Sequence, residues 1–371
     1  MDFSLTEEQM LLQDSVQKYV RDNCGVERHR QLVKTQLGFD ADTWRQFAEL
    51  GWLCLPFAES LGGFGGGAVD TMILCEALGK GVIREPYLTT VVTCGGFLQL
   101  GGSSAQQDAY IEGIIDGRAQ WAFAFAEIQG GYDMTRVLTT ATGDSDGFRL
   151  NGKKSAVLNG HCADFFIVTA NTGEGLGLFV VSAEDAGVSR TPFTAVDGSR
   201  GAHVEFDNVL LGPDRVLVES GQAAALIDRV LALSIVAMGA EALGAMQVLL
   251  DQTVEYSKTR EQFGQPIGKF QALQHRMADM YLKVEELRSL LLNAAILLDE
   301  GSGEALQACA AMKVKLAEAG RQVSQEALQL HGGIGMTDEL VVSHHFKRLL
   351  LLGMLYGDEE HYLQRYISLS A

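Results

Sequence analysis

Basic residues are scarce in this chain: 29 Lys and Arg stand against 47 Asp and Glu, a formal net charge of −18. A nucleic-acid binder needs a basic face to neutralise phosphates, and docking on an anionic membrane surface needs the same, so the balance argues against both. A small phosphorylated ligand stays possible, because a few local cations can hold one against the global sign. Cysteine is sparse as well. The six copies, Cys24, Cys54, Cys75, Cys94, Cys162 and Cys309, form no C-x-x-C pair and no metal-like spacing. Inert thiols in a reducing, cytoplasmic setting and the absence of a metal site are the expectation. The start, MDFSLTEEQ, lacks the apolar core of a secretory leader. The most apolar stretch, Leu226 to Met246, contains Asp228, Arg229 and Glu241, so it reads as a buried bundle helix and not as a membrane span. Internal repeats and low-complexity segments are missing too.

What is present is an ordinary globular balance, 47% hydrophobic and 20% charged over 371 residues, enough for two or three packed units. To about residue 117 the pattern is helical. Ser4 and Thr6, followed three residues on by Glu7 and Gln9, have capping-box spacing, and Leu12, Val16, Tyr19 and Val20 make one stripe. Strand-like runs follow at Gln120–Ala126, Arg136–Thr142, Gly147–Leu150, Phe165–Ala170, Leu178–Ser182 and His203–Val209, with turn signals at Gly143-Asp144 and Asn151-Gly152. They predict a small antiparallel β domain, a sandwich or barrel, over residues 118–218. Beyond Pro213 the helical pattern returns. Phe270, Leu273, Met277, Met280, Val284, Leu287 and Leu291 form one seam, and Cys309, Met312, Leu316, Ala319 and Val323 another, as in an antiparallel bundle. The expected domains are 1–117 helical, 118–218 β and 219–371 helical bundle.

Few motifs point to chemistry by themselves. The glycine cluster Gly62 to Gly67 follows no strand and opens no βαβ unit, so it reads as a turn between helices. Gly332, Gly333 and Gly335 end a long helix, as a C-cap would, and also let a backbone approach a ligand closely. Lys258 to Gly268 joins two bundle helices and offers a cation, an aromatic ring and a tight turn. His344 and His345 are adjacent and face different sides of a helix, which does not suit a shared metal. Gly357 to His361 opens a last short helix with acidic residues in its first turn.

Five collinear segments together resemble the acyl-CoA dehydrogenase family. They are FSLTEEQ at the start, LGWLCLPFAESLGGFGG (50–66), GFRLNGKKSAVLNGHCADFFIV (147–168), TREQFGQPIGKFQALQHRMADM (259–280) and EALQLHGGIGMTDE (326–339). The ending, SHHFKRLLLLGMLYGDEEHYLQRY, is similar to the short bacterial branch with the small subunits of pimeloyl-CoA and steroid side-chain dehydrogenases. The resemblance implies a mainly α fold with an inserted β domain, FAD as cofactor, and dehydrogenation of an acyl-CoA thioester at Cα and Cβ. It implies flavin contacts from Phe125, Ala126 and Glu127 in the β domain. Arg260, Phe263 and Gln271, and Gln329, Gly332 and Gly333 of a Q-x-x-G-G pattern, complete the set. The family's base, usually Glu, falls on Asp358. An alternative base position falls on Ser234, with Glu241 one heptad later as the other candidate. The tryptophan and threonine that usually cover the flavin fall on Ala156 and Leu158, and an assisting serine falls on Tyr132. Implied partners are an electron-transfer flavoprotein and either copies of this chain or, in a heterotetramer, a larger homologous subunit. In that last case the chain could be a non-catalytic subunit that supplies FAD contacts.

Overall fold

The computed structural model describes residues 5–145 and 147–370. Its chain is mainly helical with a β domain in the middle. Ahead of the sheet come α1 (Glu7–Asn23), α2 (Val26–Leu32), α3 (Ala41–Glu49), α4 (Ala68–Gly79), α5 (Gly96–Gly101) and α6 (Ser104–Ile115). A π-helical stretch, Tyr87–Gly95, runs into α5. The first helix starts at its predicted capping box: Thr6 Oγ1 accepts the Gln9 N–H at 3.2 Å, and Gln9 Oε1 accepts the Thr6 N–H at 3.1 Å. Ser4 lies outside the described residues.

The chain divides into two compact units, Met1–Lys34 with Gly67–Ile83 and Ile235–Ala371, and Thr35–Gly66 with Arg84–Ser234. The second unit holds the sheet: β1 (Trp121–Ala124), β2 (Thr140–Asp144), β3 (Gly147–Leu158), β4 (Phe165–Asn171), β5 (Leu176–Ser182), β6 (Val188–Thr194), β7 (Arg200–Leu211) and β8 (Val216–Val218). The strand order is β6-β7-β3-β2-β4-β5-β8, and β1 pairs with β4. Leu150, Phe166, Val168, Phe179, Val204 and Phe206 are fully buried together in its core.

Three details depart from the antiparallel domain expected. First, β1 runs parallel to β4, in register from Trp121↔Phe165 to Ala124↔Val168, and β2 meets β4 in parallel at Thr140↔Asn171. The chain between β1 and β4 is long enough for such a crossover. Second, Asn151-Gly152 is no turn, because β3 continues to Leu158 on β7 and absorbs the pair at a register shift between Leu150 and Gly152. Third, the strand expected from Arg136 begins only at Thr140. The N–H groups of Leu138 and Thr139 are occupied by the Glu127 carboxylate, at 2.8 and 3.0 Å, instead of by a neighbouring strand. β6 was not legible in the sequence: its residues are largely exposed and it carries Pro192, both features of an edge strand.

The first unit is built on long helices. α7 (Ala223–Thr259) passes into it from the β-containing unit, followed by α8 (Gln271–Asp299), α9 (Ala305–His331), α10 (Val341–Met354) and α11 (Glu359–Leu369). α9 packs against α8, α10 and α11. All five residues of its predicted seam, Cys309 to Val323, are buried. On α8 the seam is buried only from Met280 onward, and Tyr281 and Leu282 beside it are exposed. α7 is long and apolar enough to cross a membrane, but 72% of its most apolar window is buried within the protein, as in a core helix.

The crossing of α4 and α7 depends on two glycines. A Cβ on Gly79 would lie 2.1 Å from the Glu241 carbonyl oxygen, and one on Gly244 would lie 2.1 Å from that of Glu76. Neither backbone can retreat without repacking both helices. Gly244→Ala is therefore expected to cost about 1–3 kcal/mol, read from the urea midpoint. Gly303→Ala, with nothing within 4 Å of the added carbon, serves as a control that costs nothing.

Candidate active site

In the helical unit, α7 ends at Thr259 and a short hairpin leads to α8. β9 (Glu261–Gln262) and β10 (Gln265–Pro266) pair antiparallel, and the Ile267 N–H donates to the Arg260 carbonyl at 2.8 Å. The two-residue turn is Phe263-Gly264, with φ of 55° and 79°. Positive φ at both positions is the type I′ geometry whose twist matches paired strands. Glycine adopts it freely, whereas a phenylalanine seldom does. The turn holds Phe263 outward at 91% exposure, edge-on to Phe270 at 6.1 Å. Arg260 and Gln271 are exposed beside it.

The end of α9 lies at the same end of the bundle, because Tyr256 of α7 stacks on His331 at 4.5 Å. His331 is buried and its Nδ1 is 2.8 Å from the Ala327 carbonyl. Gly332 follows with φ 65° and ψ −145°, a conformation essentially restricted to glycine. A Cβ on Gly332 or Gly333 would meet nothing within 4 Å, so both backbones border open space. Gln329 is exposed, as are Ile334 and Met336. A cavity of about 460 Å³ opens beside the stack, lined in part by Gln252, Thr259 and Glu339. Sequence reasoning missed this stack; the only signal available was a histidine inside the Q-x-x-G-G pattern.

In the β-containing unit, the segment leaving β1 is held from below by a buried ammonium. Lys154 Nζ donates to the Phe125 carbonyl at 3.2 Å, to Glu127 Oε1 at 2.8 Å and to Thr169 Oγ1 at 2.8 Å. The Ala126 carbonyl accepts the Ser155 N–H at 2.8 Å. Glu127 also accepts from Thr139 Oγ1 at 2.6 Å and from the two backbone N–H groups already described. Burial pushes the Glu127 carboxyl up, but these bonds outweigh it and bring it down to about 2. Burial lowers Lys154 to about 8 against the pull of Glu127. Ala156, at the expected tryptophan position, sits at φ 52° in a second irregularity of β3. Leu158 and Tyr132 are partly exposed.

The two candidate bases, Asp358 and Glu241, differ sharply, and Ser234, at the alternative base position, has no carboxylate to offer. Ser234 is buried, donates to the Val230 carbonyl at 2.9 Å and lies 2.9 Å from Thr93 Oγ1. Glu241 is gripped by Arg348 through two bonds, Nε to Oε1 at 2.6 Å and Nη2 to Oε2 at 2.9 Å. Asp358 caps α11: its Oδ1 accepts the His361 N–H at 2.9 Å, after a turn in which Tyr356 and Gly357 have φ of 62° and 136°. Its own N–H meets no backbone acceptor among the described residues. His344 and His345 are both buried; His344 packs edge-on against His29 at 4.7 Å. No metal-holding group of His, Cys, Asp and Glu occurs among the described residues.

The family models for the acyl-CoA dehydrogenase N-terminal, middle and C-terminal domains match residues 6–118, 122–209 and 224–367. The chain belongs to the acyl-CoA dehydrogenase family. It is 32% identical to acyl-CoA dehydrogenase FadE27 of Mycobacterium tuberculosis, covering 93% of this chain and 92% of that protein. Its fold matches a chain of the ChsE4-ChsE5 complex from Mycobacterium tuberculosis with a TM-score of 0.91, at 32% identity over 99% of this chain and 98% of that one. It matches the Tcur3481-Tcur3483 steroid ACAD with a TM-score of 0.90, at 30% identity over 98% of each chain. The protein is thus an oxidoreductase acting on CH–CH donors, with FAD as cofactor. The helical unit suits such a ligand, since the open backbone at Gly332 and Gly333 leaves room for a pyrophosphate that N–H groups can bind at close range.

Proposed function

We propose that this chain dehydrogenates an acyl-CoA thioester to the trans-2-enoyl-CoA, with Asp358 as the base that takes the α-proton. The observation that carries this is the contrast between the two aligned positions, Asp358 and Ser234, and the nearby candidate Glu241. Ser234 is a satisfied hydroxyl and Glu241 is sequestered by Arg348, whereas Asp358 spends one oxygen on its helix cap. Bound FAD supplies the hydride acceptor. The Asp358 N–H is available to the thioester carbonyl, where it would stabilise negative charge as the α-proton leaves. The Lys154–Glu127 pair fixes the backbone at Phe125, and the Phe125–Ala126 segment would line the flavin.

Two positions along α9 are far apart. Gly332 and Lys313, whose ammonium binds the α10 carbonyls just ahead of Asp358, are separated by 19 residues, roughly 28 Å along a helix. Arg260, Phe263, Gln329, Gly332 and Gly333 therefore contact the flavin of a neighbouring subunit, and Asp358 works on another. The strained, outward Phe263 and the exposed Tyr281 and Leu282 fit coverage by that neighbour. Phe263→Ala is expected to leave the unfolding midpoint of flavin-free protein unchanged and to weaken FAD retention about tenfold, measured by calorimetric titration.

A second reading has this chain as the FAD-contact subunit of a heteromer. Asp in place of Glu at position 358 and Ala at position 156 favour it, as does the likeness to the ChsE4-ChsE5 complex. A small residue at Ala156, where the family usually has tryptophan, and the likeness to a steroid ACAD favour a bulky acyl group. Both readings place the protein in the cytoplasm, with an electron-transfer flavoprotein as acceptor. The test is anaerobic bleaching of the flavin in the protein purified alone, with butyryl-, octanoyl-, pimeloyl- and a steroid side-chain acyl-CoA. A yellow protein bleached by one of them supports the first reading. A colourless, inert protein that gains flavin only with a co-expressed homologue supports the second.

A further inference from the structure

Lys313, on α9, is completely buried, and its ammonium has no carboxylate within ion-pair distance among the described residues. Its Nζ donates instead to the Leu352 carbonyl at 2.5 Å and the Gly353 carbonyl at 3.1 Å. Those are carbonyls of the last turn of α10, which a cation suits because the partial negative charge of the helix gathers there. A neutral donor would satisfy the same two oxygens without the cost of burying a charge. Among the described residues, Asp358 is the opposite charge whose field reaches this ammonium, and Met354 to Gly357 alone separate the anchored carbonyls from it in sequence. Two of those four residues hold the left-handed turn that aims the α11 cap.

We propose that Lys313 is a positioning residue for Asp358: it pins the end of α10, and its charge holds the carboxylate in place. The inference rests on Asp358 being the base. Burial draws the Lys313 ammonium down to about 7, with Asp358 pulling the other way.

The test uses the flavin-loaded protein and the thioester that bleaches it fastest. Lys313→Met is expected to slow flavin reduction at saturating thioester about 10²-fold with an unchanged apparent Kd, because small misplacements of a reacting group act on the step and not on binding. In an Asp358→Asn background the same change is expected to add less than twofold. Amide hydrogen exchange in the segment from Leu351 to Tyr362 is expected to rise in Lys313→Met. Should Lys313→Met fail to fold, Lys313→Gln, which keeps a donor and removes the charge, carries the same comparison. Unchanged exchange, or a full 10²-fold effect in the Asp358→Asn background, overturns the role of Lys313 alone. An Asp358→Asn protein that reduces its flavin at the wild-type rate removes the base assignment and this inference with it.

Discussion

Asp358→Asn is expected to slow reduction of the bound flavin by acyl-CoA about 10²–10⁴-fold, the range over which a positioned base contributes. The change is nearly isosteric. Asn retains an oxygen to accept the His361 N–H, and it caps helices about as well as Asp, so α11 and the unfolding midpoint are expected to stay as they are. What is lost is the capacity to take a proton. Asp358→Glu adds one methylene, about 1.5 Å of reach, and is expected to retain turnover. Glu241→Gln is the informative comparison. It weakens the two-bond grip on Arg348, so its effect should appear in the unfolding midpoint and hardly at all in the rate of flavin reduction at saturating thioester. A large rate loss in Glu241→Gln together with a silent Asp358→Asn would reverse the assignment.

Lys154→Met is expected to destabilise the protein by about 3–5 kcal/mol, the cost typical of removing one partner of a buried ion pair. Both side chains are buried, and the variant leaves Glu127 charged with only neutral donors around it. The double variant Lys154→Met/Glu127→Gln should cost less than the sum of the singles, since the second change removes the stranded charge. The pH dependence follows from Glu127, whose carboxyl is held near 2 against an ordinary 4.5. A depressed acid contributes stability that is complete above the ordinary value and lost as the pH falls from about 4.5 toward 2. A shift of this size is worth roughly 3 kcal/mol. In Lys154→Met the carboxyl rises, so this acid limb should shrink. Urea midpoints between pH 3 and pH 7 measure it, and equal limbs in the two proteins would show that the pair is not coupled as described.

The helices were legible because their information is local. The seams of α8 and α9, the Thr6–Gln9 box and the acidic opening of α11 each lie within a few residues of one another. Helical hydrogen bonds close over four residues, so a 3.6-residue period and a cap are visible in a linear reading. The sheet was harder. Its existence showed in short β-branched and aromatic runs, but pairing is decided by distant chain, and the parallel β1–β4 register and the exposed edge strand β6 left no periodic mark.

The residues of the site divide the same way. Sequence alone determined the family, through five collinear segments, and with it the positions to inspect, Asp358, Arg260, Phe263 and the Gln329–Gly333 turn. The tertiary structure decided which partners the charged groups found. It showed Glu241 committed to Arg348 across 107 residues, Lys154 brought beneath Phe125 and Glu127, and Lys313 brought under the end of α10 across about 40. Charge and hydrogen-bond partners are properties of space at 3 Å, and a buried charge selects its partner by proximity after folding. No spacing along the chain records that choice.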